Sequence, residues 1–144
     1  MELFGFGPHL MIDGYSASPD RLRDAELVRQ VLDELPEEME MTKVLPPFVY
    51  SYGQNGEEGV TGVVIIAESH IAIHTFPKKA FLSVDIFSCK AFDVAKALKY
   101  LAEKFEIDRY ETHMINRGKE FPKDPELARK IILGEREYLE ARLG

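Results

Sequence analysis

The sequence predicts an α+β fold, a two-layer α/β sandwich with a mainly antiparallel sheet and its helices on one face. Three observations predict it. The chain has 144 residues, one domain's worth, so 1–144 reads as a single domain. Hydrophobic residues make up 45% of it, enough for a core. The elements run in the order β-α-β-β-β-β-α-β-α, with four strand-like segments in succession.

His9 to Ile12 reads as a short strand closed by Asp13-Gly14. Ser18 then suits an N-cap, with Pro19 at the first helical position. Leu22, Leu27, Val28, Val31, Leu32 and Leu35 recur at helical spacing, and Pro36 is expected to end that helix. Met41 to Tyr52 is rich in β-branched and aromatic residues. Pro46-Pro47 interrupts it, which points to an edge strand or a bulge. Gln54-Asn55-Gly56 is a turn. Gly59 to Ala67 is a continuous apolar run of the kind a buried strand shows.

Ser69 to Thr75 alternates, with His70, Ala72 and His74 on one parity and Ile71 and Ile73 on the other. Phe81 to Phe87 repeats the pattern with Leu82, Val84 and Ile86. Phe92 to Phe105 is amphipathic at helical spacing through Val94, Ala95, Leu98, Leu101 and Ala102. Arg109 to Ile115 suits a strand, and Pro125 to Leu143 a last helix with a solvated, charged face.

Charge narrows the partners. The net charge is -7 and the basic residues form no run, so nucleic acid is not an expected partner. No apolar stretch approaches the roughly 20 residues that span a bilayer, and Met1 to Pro8 lacks the pattern of a signal peptide. The single cysteine, Cys89, cannot form an internal disulfide. A cytoplasmic protein with no membrane partner is the expectation.

The chemistry concentrates between Glu68 and Cys89. A serine, two histidines and the lone cysteine fall within about twenty residues, and a hydroxyl, an imidazole and a thiol could converge there. A hydrolase with Ser69 as nucleophile and His74 as base fits in part. The neighbours Glu68 and His70, however, do not make a Gly-x-Ser-x-Gly elbow. A metal between His70 and His74 fits poorly, because residues four apart on a strand lie roughly 13 Å apart; no metal site is expected.

The string Glu68-Ser69-His70, His74-Thr75-Phe76-Pro77, then Val84-Asp85-Ile86-Phe87-Ser88-Cys89, is similar to the signature of prokaryotic S-adenosylmethionine decarboxylases. Gly59-Val60-Thr61-Gly62-Val63 and His9-Leu10-Met11-Ile12-Asp13 extend the resemblance. It covers most of Met1 to Pro122. The resemblance implies a two-layer α/β sandwich that forms homodimers, and a proenzyme that cuts itself between Glu68 and Ser69. Ser69 would become a pyruvoyl group, which forms a Schiff base with a substrate amine and acts as electron sink. His74 matches the processing base, and Thr61 stands where a serine usually assists processing. Cys89 matches the proton donor; a thiol suits that role because its pKa lies within reach of neutrality.

The substrate implied is S-adenosylmethionine, a small molecule whose decarboxylated form is the aminopropyl donor for polyamine synthesis. Phe76 is a candidate for stacking on adenine, and Tyr52 and Tyr50 are further candidates whose simpler role is strand packing. One position departs from the pattern. Lys78, followed by Lys79, stands where an acidic residue suited to the substrate's ribose or its positive charge is usual. A non-catalytic relative that stays uncut is the alternative that this departure raises; arginine or ornithine decarboxylation on the same scaffold is another, though those substrates are cations too and Lys78 does not favour them.

Overall fold

Alternation along the strands decides the architecture. The computed structural model describes residues 7–118 together with Glu126, Arg129, Leu133 and Gly134. Its elements are β1 (Gly7–Tyr15), α1 (Pro19–Arg23), α2 (Ala25–Glu38), β2 (Phe48–Gln54), β3 (Glu57–Ile66), β4 (Ser69–Phe76), β5 (Phe81–Ser88), α3 (Val94–Phe105) and β6 (Arg109–Arg117). The strands form one six-stranded sheet in the order β2-β3-β4-β5-β1-β6. Each neighbouring pair is antiparallel.

On β1, β4 and β5, every second residue is buried: Leu10 and Ile12, Ile71 and Ile73, Val84 and Ile86. These pack with Leu32 and Leu35 of α2 and Leu101 and Phe105 of α3. Burying each such side chain contributes roughly 1.5–3 kcal/mol. The intervening residues form the opposite, open face of the sheet, with Phe48, Tyr50, Val63 and Ile65 exposed on it. The α+β sandwich read from the sequence is therefore the architecture observed.

Local differences have local causes. The first helical stretch is two helices, because Asp24 adopts an extended conformation and its carboxylate accepts from the Leu27 amide, capping α2 afresh. Pro36 does not end α2; the helix continues to Glu38 with Pro36 buried inside it. Proline removes one amide donor, but its own carbonyl still accepts from Met41 N at 2.8 Å. The strand expected from Met41 begins only at Phe48. Before Pro46-Pro47 there is a single bridge, Lys43 with Ile66. The strand read there is an edge strand, as the prolines indicated.

Gly62 lies under α2. A Cβ there would meet Leu32 Cδ1 at 2.6 Å, so a side chain at this position would force Leu32 to move. The helix read over Pro125 to Leu143 lies outside the described residues apart from the four named above, which are helical and exposed. Among the described residues no helix is long and apolar enough to cross a membrane.

Candidate active site

The turn from β3 into β4 carries Glu68 and Ser69, and β5 delivers Cys89 beside them. Ser69 pairs with Ser88, so Cys89 follows directly alongside the turn. The Cys89 amide donates to the Glu68 carbonyl at 3.0 Å. Glu68 is 3% exposed although it is a carboxylate. Its oxygens accept from the Thr42 amide at 3.1 and 3.3 Å, and Lys90 Nζ lies 4.0 Å away. The peptide bond between Glu68 and Ser69 is therefore held from both its carbonyl and its flanking side chain.

The chain also crowds this corner from β1. Gly7, at φ 147°, sits so close that a Cβ would fall 2.4 Å from the Ser88 carbonyl and 2.9 Å from Cys89 Cα. Nothing in a single glycine announces such a contact, and sequence reasoning passed over Gly7.

His74 lies elsewhere in the same chain. It is five positions along β4 from Ser69, which at about 3.3 Å per residue is about 16 Å. The two also differ in parity, Ser69 with Ile71 and His74 with His70 and Ala72. The hydroxyl, imidazole and thiol expected to converge therefore do not do so within one protomer. Ser69 and Cys89 lie at one end of the sheet, while His74 is towards the other. There Thr61 is its direct cross-strand partner, with Oγ1 3.2 Å from His74 Nδ1. That contact occupies His74 Nδ1.

The remaining candidates share the His74 end. Phe76 faces Phe81 at 5.6 Å between ring centroids, and Phe81 faces Tyr15 at 5.3 Å. Tyr52 pairs with Gly59, where an added Cβ would sit 2.7 Å from the phenol oxygen, so its ring covers the glycine. Tyr50 pairs with Thr61 and is exposed. Lys78 occupies a single 3-10 turn, Pro77–Lys79, and its ammonium donates to the Gly56 carbonyl in the β2–β3 turn. Thr75, between the motif residues, is structural. Its hydroxyl donates to the Leu22 carbonyl at 2.7 Å and accepts from Val60 N at 2.9 Å.

Beside the Ser69–Ser88 pair, the open face gathers residues whose grouping the sequence did not reveal. His9 Nε2 lies 3.1 Å from Asp85 Oδ1. Phe87 sits between His9 and His70, with ring centroids at 5.5 and 5.7 Å, and Arg117 lies 4.2 Å over its ring. Burial pushes the His70 pKa down, and the charges of His9 and Arg117 push the same way against Asp85. Asp13, Glu111 and His113 bring one donor atom each to within 4.8 Å of one another, because Asp13 pairs with Glu111 and Met11 with His113.

A sheet of this topology, with a Glu-Ser turn against a cysteine at one end and a Thr-His pair towards the other, defines a protein class. Residues 8–118 match the family model for S-adenosylmethionine decarboxylase, and the chain belongs to that family. An S-adenosylmethionine decarboxylase proenzyme of Archaeoglobus fulgidus is 36% identical over 113 residues, covering 78% of this chain and 97% of that protein. One from Clostridium botulinum is 38% identical over 114 residues, 78% of this chain and 95% of that one. One from Thermococcus onnurineus is 33% identical and aligns over 100% of this chain and 97% of its own length. Among solved structures, the adenosylmethionine decarboxylase of Aquifex aeolicus VF5 superposes with a TM-score of 0.67 at 29% identity, covering 78% of this chain and 91% of that one.

Proposed function

We propose that the chain is a self-processing, pyruvoyl-dependent decarboxylase that acts on S-adenosylmethionine to give the aminopropyl donor for polyamine synthesis. The observation that carries this reading is the Glu68–Ser69 bond, with Glu68 buried, its carbonyl held by the Cys89 amide and Cys89 alongside. The proenzyme name shared by the relatives supports it.

Self-processing follows from the residues. Ser69 Oγ adds to the Glu68 carbonyl carbon, the peptide C–N bond breaks, and the hydroxyl proton passes to the freed amine, leaving an ester. The Cys89 amide is placed to donate to the carbonyl oxygen as charge builds on it. A base then takes the Ser69 Cα proton, the ester C–O bond breaks, and Glu68 departs as a carboxylate. Water converts the dehydroalanine left at 69 to the pyruvoyl group with loss of ammonia. That group supplies the electron sink for decarboxylation. Cys89 lies beside it and is assigned delivery of the proton to the substrate's α carbon.

His74 is assigned the base, supplied by a second copy of the chain. Its distance from its own Ser69, about 16 Å along β4, supports a Ser69 of another copy as its target. Two chains stacked open face to open face with strand ends exchanged would set the Thr61–His74 pair of one towards the Glu68–Ser69 turn of the other. The exposed Phe48, Tyr50, Val63 and Ile65 on that face suit such burial. Phe76 is assigned the adenine. The Lys78 ammonium donates to the Gly56 carbonyl, which draws it towards the β2–β3 turn while leaving its charge in place. The cytoplasm is the compartment assigned.

Intact-mass spectrometry under denaturing conditions tests this on fresh and aged protein. The expected result is two fragments, one ending at Glu68 and one beginning with a pyruvoyl group. A single full-length mass that persists after warming overturns it.

A further inference from the structure

The buried Glu68 carboxylate needs more than the turn that carries it. Its oxygens are met by the Thr42 amide, from the segment that follows α2. That segment is itself tied to the turn, since Ala67 N donates to Thr42 O at 2.8 Å. Lys90 approaches from the other side. Its ammonium donates to the Glu40 carbonyl at 2.6 Å and lies 4.0 Å from Glu68 Oε1. Its backbone is braced by Ser88, whose hydroxyl donates to Lys90 O at 2.8 Å and accepts from Lys90 N at 3.1 Å. The Lys90 ammonium is thus bonded to the Glu40 carbonyl and stands at ion-pair distance from the one residue whose peptide bond is to be broken.

Self-cleavage changes the charge at that place. Before the cut Glu68 carries one carboxylate; after it, a second forms on the same residue. Two like charges a few ångströms apart in a buried corner repel each other unless a cation is at hand. We infer that Lys90 is a positioning residue for self-cleavage: it holds the Glu68 side chain so that the Glu68–Ser69 carbonyl stays on the Cys89 amide, and it offsets the second negative charge that the cut creates. This rests on the processing assigned above.

Full-length chain made by cell-free synthesis starts uncut and allows the rate to be followed by mass. Lys90→Met is expected to slow splitting roughly tenfold, since small displacements of reacting groups cost factors of this order or more. Lys90→Arg is expected to restore most of the rate, a rescue that loss of simple packing would not show. In a Glu68→Gln background, where the cut leaves one carboxylate instead of two, Lys90→Met is expected to slow splitting clearly less than in the wild-type background. Far-ultraviolet circular dichroism confirms that each variant folds; Lys90 is about half exposed, so the site tolerates change. Wild-type rates in Lys90→Met, or an equal slowing in both backgrounds, overturn the inference while leaving the processing reading intact. A wild-type chain that never splits overturns both.

Discussion

If His74 of one chain serves Ser69 of another, two inactive variants should repair each other. Ser69→Ala removes the nucleophile and His74→Ala the base. Within a protomer the two positions are about 16 Å apart, against the roughly 3 Å that proton transfer requires, so a chain cannot rescue itself by a side-chain movement. Co-expression at equal levels with random pairing makes about half of the dimers mixed. In each mixed dimer one site carries both lesions and the other carries neither. About half of the His74→Ala chains should therefore split, none of the Ser69→Ala chains should, and decarboxylation should reach about one quarter of wild type. Intact-mass spectrometry distinguishes the two chains directly, and release of carbon dioxide from S-adenosylmethionine reports turnover. If His74→Ala chains stay as whole in the mixture as alone, the assignment of His74 across the dimer is wrong.

Cys89→Ala is expected to retain splitting, because the amide on the Glu68 carbonyl remains. It should lose turnover by roughly a hundredfold or more, as removal of a proton donor does; turnover within a few-fold of wild type would count against Cys89 as donor. His70 gives a pH dependence. Its folded pKa is pushed below its ordinary 6.5 by burial, His9 and Arg117, so between the two values the unfolded chain binds more protons and stability rises with pH. Urea midpoints should therefore fall as the pH drops below about 6.5, and His70→Gln should flatten that fall; an unchanged slope in the variant would assign it to other groups.

Much of this protein is written locally. Parity along β4 and β5 sorts Ile71, Ile73, Val84 and Ile86 from His70, His74 and Asp85, because side chains on a strand alternate faces whatever the strand packs against. The Ser18 cap and the leucine spacing of α2 are local in the same sense, as is the string from Glu68 to Cys89. Pro36 misled because the cost of one missing amide is set by what surrounds it, and here that is the core.

What the sequence determined alone is the fold class, the turn that holds Glu68 and Ser69, and the residue types suited to cutting it. Tertiary structure alone decided which of them meet. Antiparallel register set Cys89 beside Ser69, paired His74 with Thr61, and brought Thr42, Lys90 and Gly7 in from distant parts of the chain, whereas the roughly 16 Å between Ser69 and His74 follows from spacing within β4. Spacing along a chain measures distance only within an element; between elements, pairing and packing do.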